Sequence, residues 1–139
     1  MTTILMTVKH HFSAGHRIPG LSGPGQKCTN LHGHTFGVEW SFEVPTLDAA
    51  DFEFTSAKAI LRAWVDTQLD HGYLVAPDDE ALLGFLMAGE FKYYIVAPKP
   101  TTEAIAALLL DRANELLPEV TCVRVVITEG PHNQAEVLL

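Results

Sequence analysis

The sequence predicts a single α+β domain spanning residues 1–139. The chain has 139 residues with 47% hydrophobic side chains, which is enough to bury one core. The apolar periodicity changes along the chain in the order β-β-α-(α)-β-α-β-β. This order lacks the regular βαβ alternation of a doubly wound sheet, and it therefore favours the α+β class. We find no repeat, linker or low-complexity segment, so no domain boundary is predicted.

The individual elements follow from local patterns in chain order. Alternating or β-branched runs predict strands, and apolar stripes at helical spacing predict helices. The predicted strands are 3–12, 34–44, 91–96, 120–128 and 135–139, and the predicted helices are 54–69, 78–89 and 101–117. A glycine- and proline-rich loop, 13–30, joins the first two strands, which we expect to pair antiparallel. Thr55 or Ser56 is the expected N-cap of the first helix, and Gly72 its C-terminal stop.

Composition argues against several classes of function. Charged residues make up 19% of the chain and the formal net charge is −8, whereas nucleic acids and anionic membranes require a basic surface. No apolar run approaches the roughly 18 residues of a membrane span. The N-terminus shows no positive region followed by an apolar core, so we expect a cytoplasmic protein. In that compartment Cys28 and Cys122 are expected to be reduced thiols, and Cys122 to be a small residue of a strand or core.

Three histidines between residues 16 and 34 predict a metal site. His32 and His34 are two residues apart, and in a strand such residues point to the same face, about 7 Å from each other. His16 ends a strand-like run and is the natural third ligand. Three histidines with an open fourth position form the ligand set of a catalytic zinc site. The alternative is that the His-x-His pair consists of two ordinary strand histidines, if the strand reaches back to His32.

Cys28 lies on the loop between these ligands, after Lys27. A nearby ammonium and a metal would both favour its thiolate, the reactive form of the side chain. Cys28 could be a fourth ligand of a closed structural site, or a catalytic base or nucleophile beside an open metal. Structural sites usually contain a tight pair of cysteines, and the absence of one here favours the second interpretation.

Two further carboxylates are candidates for site residues. Asp70 precedes His71 at the predicted end of a helix, where a histidine often only complements the helix dipole. Glu129 ends a predicted strand, where a carboxylate is more often solvated. In a binding site, Glu129 could accept paired hydrogen bonds from a guanidine-like edge.

Taken together, these pieces resemble the 6-pyruvoyl-tetrahydropterin synthase and 6-carboxytetrahydropterin synthase family. The matching motifs occur in the family's order over most of the chain. They are Phe12-x-Ala14-x-His16, Cys28-x3-His32-Gly33-His34, Leu69-Asp70-His71, Pro100-Thr101-Thr102-Glu103, and Glu129 with Ala135 six residues on. The resemblance implies the tunnelling fold, in which a small antiparallel sheet carries helices on one face. It also implies that subunits join edge to edge into a barrel, usually as a trimer stacked into a hexamer.

The resemblance also implies roles for the candidate residues. His16, His32 and His34 are the expected Zn²⁺ ligands, and Cys28 is the expected catalytic base. Asp70 and His71 are its expected partners, contributed by an adjacent subunit. Glu129 is the expected anchor of the pterin's amino and ring N–H edge, helped by Thr101, Thr102 and Glu103. A basic residue such as Lys27 or Arg17 is expected to meet the triphosphate of the substrate.

The implied reaction starts from 7,8-dihydroneopterin triphosphate. The Cys28-x3-His32 spacing looks more like the 6-carboxytetrahydropterin synthases, which release triphosphate and acetaldehyde and feed queuosine and 7-deazapurine formation. The 6-pyruvoyl branch, a non-catalytic zinc-binding member, and an aldolase or epimerase acting on another pterin are the alternatives. The chain departs from the family pattern at Gly72 and Gly130, and its segment 78–96 is longer than in compact members.

Overall fold

The computed structural model describes residues 2–139 and contains six strands and three α-helices in that range. The strands are β1 (Ile4–His16), β2 (His32–Val44), β3 (Gly72–Val75), β4 (Tyr93–Ile95), β5 (Thr121–Glu129) and β6 (Asn133–Leu138). The helices are α1 (Phe54–Gln68), α2 (Glu80–Ala88) and α3 (Thr102–Leu116), with 3₁₀ helices at Gly23–Thr29 and Ala49–Asp51. The α+β class is confirmed.

All six strands form one sheet in the order β4-β3-β1-β2-β5-β6. The four strands β1, β2, β5 and β6 pair antiparallel, as predicted. The expectation of an antiparallel sheet is wrong at one edge, where β3 pairs parallel with β1 and β4 parallel with β3. Parallel neighbours need a crossover connection, and α2 supplies it between β3 and β4.

The core lies between the sheet and the helices α1 and α3. Even-numbered residues of β1 and β2 face these helices, because successive side chains of a strand alternate between faces. The buried side chains of this core include Phe12, Phe36, Trp40, Leu61, Val65, Ile105 and Leu109. His16, His32 and His34 are also even-numbered, so they continue the core face beyond Phe12 and Phe36.

Helix α2 packs on the other face of the sheet, at its parallel edge. Leu74 of β3 belongs to the main core, whereas its neighbours Tyr73 and Val75 pack with Leu82 and Leu86 of α2 in a separate apolar cluster. Neighbouring residues of a strand point to opposite faces. The expectation of helices on one face therefore holds for α1 and α3 and is wrong for α2.

Several predicted boundaries differ from the structure. Strand β1 continues four residues beyond the predicted end because its pairing with β2 runs without interruption from Ile4–Val44 to His16–His32. The N-cap of α1 is Glu53, and neither Thr55 nor Ser56. Its carboxylate accepts hydrogen bonds from the main-chain N–H groups of Thr55 and Ser56, which hold the pKa of Glu53 at about 2 together with other bonds to Ser56.

Gly72 is not the C-terminal stop of α1. The residue with a left-handed backbone is His71, with φ 63°, and Gly72 instead begins β3 opposite Ala14. Among the described residues, no helix has the length and apolarity needed to cross a membrane.

Candidate metal centre and active site

The three histidines predicted from the sequence meet at one end of the antiparallel sheet. His16 pairs directly with His32, and His34 lies opposite Ala14 on the same face. The ring centroids are 4.6 Å apart for His16 and His32, 5.2 Å for His16 and His34, and 4.9 Å for His32 and His34. One nitrogen from each ring lies within 4.8 Å of the others, so the three side chains could hold a metal ion.

Main-chain carbonyl groups orient two of these rings. The Nδ1 of His16 lies 2.8 Å from the carbonyl oxygen of Pro100, and the Nδ1 of His32 lies 2.7 Å from that of Asn30. A carbonyl oxygen can only accept a hydrogen bond, so both rings carry their proton on Nδ1. Each ring therefore presents an unprotonated Nε2, the arrangement that metal-binding histidines usually have.

Burial adds a second indication that a metal belongs here. His16 is 1% exposed, and burial lowers its pKa, which favours the neutral imidazole that binds metals. The Nε2 atoms of His16 and His34 are buried and form no hydrogen bond with any residue that the structure describes. Buried polar atoms are normally satisfied, so these two nitrogens fit a missing metal. Three imidazole nitrogens suit Zn²⁺ with a fourth position open.

Glu129 lies against this histidine cluster. Strand β5 places it opposite Phe36, with its side chain on the core face. Its Oε1 is 3.1 Å from the Nε2 of His34, although the two groups are not aligned as a hydrogen bond. Its Oε2 accepts a 2.8 Å hydrogen bond from the hydroxyl of Thr102 in the first turn of α3. The carboxylate is therefore fixed in orientation and faces the candidate metal centre.

An open cavity of about 280 Å³ joins most of the predicted site residues. Its walls come from β1, the loop after it, the start of β2, the start of α3 and the end of β5. The lining residues are His16, Ile18, Leu21, Cys28, His32, Thr101, Thr102, Glu103 and Glu129. The structure thus brings together two metal-site histidines, the candidate base, the Thr-Thr-Glu run and the candidate pterin anchor. Lys27 is exposed and is not among the lining residues.

The two cysteines differ in environment. Cys28 is half-buried near the end of the 3₁₀ helix, and its main-chain oxygen accepts a 2.8 Å hydrogen bond from the N–H of Ile18. Cys122 is fully buried in the core, and burial raises its pKa to about 11. Its prediction as a core residue is confirmed.

Asp70 and His71 form a rigid dyad whose His71 does not line this cavity. The Nδ1 of His71 is 2.7 Å from the Oδ2 of Asp70, and the Oδ1 of Asp70 accepts a 2.9 Å hydrogen bond from the N–H of Ser13. That bond, followed by the contact with His71, lowers the pKa of Asp70. The N–H of His71 donates to the carbonyl of Ser13 at 2.7 Å, and the imidazole is 80% exposed.

His71 lines a second cavity, also of about 280 Å³, with Tyr73, Phe85, Leu86, Phe91 and Lys92. This cavity is on the face that carries α2. The ring of Tyr73 covers Gly15 there, and a side chain at position 15 would place its Cβ 2.5 Å from that ring. Within the described chain, the imidazole of His71 and the metal-site histidines therefore face opposite sides of the sheet.

The sequence interpretation missed a buried ion pair beside the metal site. Arg17 follows His16, and its Nε and Nη2 donate to the two carboxylate oxygens of Asp79, at 2.7 and 2.5 Å. The Arg17 guanidinium lowers the pKa of Asp79, whose side chain also caps α2 by accepting from the N–H of Leu82. Arg17 was considered only as a triphosphate ligand, because pairing between distant residues leaves no local signal in the sequence.

Comparison with known proteins gives the family. The family model for 6-pyruvoyl tetrahydropterin synthase matches residues 5–138. This chain belongs to the 6-pyruvoyl tetrahydropterin synthase family. The resemblance noted in the sequence is confirmed, and it indicates an enzyme of the lyase class.

Two relatives in this family share about 30% of their residues with the chain. The 6-carboxy-5,6,7,8-tetrahydropterin synthase of Aquifex aeolicus is 31% identical over 125 residues, covering 81% of this chain and 76% of that protein. The 6-carboxy-5,6,7,8-tetrahydropterin synthase of Bacillus subtilis is 30% identical over 125 residues, covering 87% of this chain and 75% of that protein.

Solved structures confirm the tunnelling fold of the 6-pyruvoyl tetrahydropterin synthase family. An uncharacterized protein of Wolinella succinogenes superposes with a TM-score of 0.83 at 20% identity, covering 99% of each chain. The 6-pyruvoyl tetrahydropterin synthase of Caenorhabditis elegans superposes with a TM-score of 0.69 at 20% identity, covering 100% of this chain and 97% of that one. At this identity the likeness concerns the fold alone.

Proposed function

We propose that this protein is a zinc-dependent lyase that converts 7,8-dihydroneopterin triphosphate into 6-carboxy-5,6,7,8-tetrahydropterin, releasing triphosphate and acetaldehyde. The observation that carries the proposal is the cavity in which His16, His32, Cys28 and Glu129 meet. The names of the relatives from A. aeolicus and B. subtilis support the carboxy branch over the pyruvoyl branch. In this proposal the product serves queuosine or another 7-deazapurine.

Substrate binding is assigned to the end of the cavity formed by β5 and α3. The Glu129 carboxylate accepts hydrogen bonds from the amino and ring N–H edge of the pterin, in the paired geometry that carboxylates favour. The hydroxyl of Thr102 keeps the carboxylate in one orientation. Thr101 caps α3 through its hydroxyl and Glu103 lies in the first turn, so both shape the wall beside the ring.

Chemistry is assigned to the end formed by the histidines and Cys28. A bound Zn²⁺ supplies a Lewis acid that acidifies hydroxyl and C–H groups of the substrate side chain. The thiolate of Cys28 then takes and returns protons at carbon, because it lines the same cavity. Elimination of the triphosphate and internal rearrangement need no redox cofactor.

The Asp70–His71 dyad is assigned to the cavity of a second copy of the chain. Its imidazole is held by Asp70 on Nδ1 and is 80% exposed, on the face away from its own metal-site histidines. A proton relay must lie within hydrogen-bond reach of the group it serves, directly or through one water. A homo-oligomer in which the dyad enters a neighbouring cavity meets this condition.

Product analysis tests the proposal. Zinc-loaded protein is incubated with 7,8-dihydroneopterin triphosphate, and the products are identified by mass spectrometry. We expect 6-carboxytetrahydropterin, acetaldehyde and triphosphate in equal amounts. A 6-pyruvoyl product would move the protein to the other branch, and bound but unconverted substrate would refute catalysis on this substrate.

Two variants separate binding from chemistry. Glu129→Gln keeps the size of the side chain but removes its charge, so we expect the dissociation constant for the pterin to rise by about tenfold or more. Glu119→Gln, an exposed glutamate distant in sequence from these motifs, is the matched control. Cys28→Ala should retain zinc and substrate affinity but lose turnover. Loss of zinc in that variant would instead make Cys28 a structural ligand.

A further inference from the structure

Lys92 contacts the end of α1 at the position of the dyad. It lies between α2 and β4, inside the segment 78–96 that lengthens this chain. Its Nζ donates hydrogen bonds to two main-chain carbonyl oxygens, those of Asp66 and Asp70. Lysine side chains commonly satisfy the free carbonyl groups at helix C-termini, and the dipole of α1 favours a cation there.

The rest of Lys92 packs against the residues that follow the dyad. Its carbonyl oxygen accepts a 3.1 Å hydrogen bond from the N–H of Tyr73. A Cβ at Gly72 would lie 3.1 Å from the Cγ of Lys92 and 3.3 Å from its carbonyl oxygen. Lys92 therefore contacts the chain on both sides of His71, through Asp70 before it and through Gly72 and Tyr73 after it.

His71 needs such support because of its backbone. Its φ of 63° lies in the left-handed region, which residues other than glycine rarely occupy unless the surroundings impose it. The N–H of His71 is bound by the Ser13 carbonyl, and the preceding Asp70 carbonyl is bound by Lys92. These two bonds fix the peptide plane between Asp70 and His71, from which the imidazole projects.

We propose that Lys92 is a positioning residue for the reaction: its ammonium group holds the Asp70 carbonyl and thereby fixes the direction of the His71 imidazole. The proposal gives the long segment 78–96 a role, because this segment delivers Lys92 to the dyad. It rests on the proposed function in one respect, namely that the dyad takes part in turnover. A lysine that only caps α1 would stabilise the helix without affecting the rate.

The test compares three variants of the full-length, zinc-loaded protein. Lys92→Met keeps most of the aliphatic chain but removes the donors, and Lys92→Arg restores a donor group. Lys9→Met is the matched control, because Lys9 is an exposed lysine whose only ion pair, among the described residues, is a 3.9 Å contact with Glu39. Hydrogen–deuterium exchange of peptides covering residues 66–75, kcat, KM, zinc content and thermal unfolding are measured for each variant.

We expect Lys92→Met to increase exchange of the Asp70 and His71 amides by about tenfold and to lower kcat by about tenfold, since small displacements of catalytic groups have effects of this size. KM and zinc content should change less than about twofold, because the substrate and metal contacts lie on the other face. Lys92→Arg should recover most of both losses, and Lys9→Met should match the wild type.

Two outcomes would overturn the proposal. Unchanged exchange in Lys92→Met would mean that the ammonium does not hold the dyad. Increased exchange with unchanged kcat would mean that Lys92 is only a helix cap. If the wild-type protein fails to convert the pterin, the proposed function is refuted, and the exchange comparison still decides whether Lys92 fixes the dyad.

Discussion

At the scale of single residues, the metal site depends on side-chain alternation along two paired strands. His32 and His34 share a face because they are two apart, and the β1–β2 register brings His16 beside them. We expect His32→Ala to lower zinc affinity by at least about 100-fold, because a three-ligand site becomes a two-ligand site. Zinc content after dialysis checks this. His11→Ala, an exposed histidine on the opposite face of β1, should keep stoichiometric zinc, and stoichiometric zinc in His32→Ala would refute the ligand assignment.

The two thiols give a second prediction at this scale. Cys122 is 0% exposed and its pKa is raised to about 11, so it should stay unreactive towards a thiol reagent at pH 8. Cys28 is half-buried beside an open cavity and should react. Titration of the zinc-loaded protein is expected to give one reactive thiol, and two after unfolding. Protection of Cys28 that disappears when zinc is removed would identify it as a metal ligand.

The residue pattern was readable from the sequence where it depended on local spacing. The parity of His32 and His34, the glycine-rich loop with Cys28 and the helix start at Thr101 all follow from neighbours in the chain. The carbonyl groups of Pro100 and Asn30, and the donation from Lys92 to Asp70, could not be predicted. Every residue offers the same main-chain carbonyl, so only the folded chain shows which of them faces a histidine or a lysine.

At the scale of elements, β3 and α2 were the difficult part of the chain. Strand β3 has only four residues, and the glycine that begins it looks like a helix stop. Its partner β4 has three. Such short strands carry too few side chains for a periodicity to be seen, and they form because β1 and α2 provide surfaces on both sides. The longer strands and helices, with several apolar repeats each, were predicted within a few residues of their ends.

The ion pair between Arg17 and Asp79 ties α2 to the end of β1. The side chain of Asp79 is 3% exposed, and replacing it with asparagine removes the charge that Arg17 binds while retaining a helix cap. We expect Asp79→Asn to lower the free energy of unfolding by about 1–3 kcal/mol at pH 7, because the Arg17 guanidinium loses its partner. Chemical denaturation measures the difference. Asp78→Asn, an exposed neighbour, should change stability by less than about 0.5 kcal/mol.

The same pair should give a pH dependence. The pKa of Asp79 in the folded protein is lower than its ordinary value of 3.8. The stability it contributes is therefore fully present above pH 3.8 and is lost as the pH falls through the lower, folded-state pKa. The difference between the wild type and Asp79→Asn should be constant from about pH 5 to 8 and should shrink below about pH 4. A constant difference down to pH 2 would contradict the ionised pair.

At the scale of the whole molecule, the two groups of candidate catalytic residues lie on opposite faces of the sheet. The cavity with Cys28 and the exposed His71 can act together only if different copies of the chain meet. In a cyclic homo-oligomer, each site would take Cys28 from one copy and the dyad from the next. The sheet has two edges, β4 and β6, and association of copies would cover such edges.

Mixing two inactive variants tests this arrangement. Cys28→Ala and His71→Ala are each expected to be inactive alone. When they are unfolded together and refolded as mixed oligomers, about a quarter of the sites receive both intact groups by random assembly, so about a quarter of wild-type activity should return. Co-refolded Cys28→Ala with His32→Ala is the control. Both of those changes fall on the copy that supplies the metal cavity, so a site with all groups intact cannot arise unless a wild-type cavity forms. Mixtures that remain inactive would contradict a site shared between copies.

The main-chain carbonyls that orient His16 and His32 also affect how the site tolerates mutation. Where a side-chain carboxylate orients a metal-binding histidine, one substitution can abolish the interaction. Here a substitution at Pro100 or Asn30 changes the side chain and leaves the carbonyl in place. The orientation of these ligands is therefore protected against most point mutations, and drift of the surrounding sequence can alter substrate preference while metal binding persists.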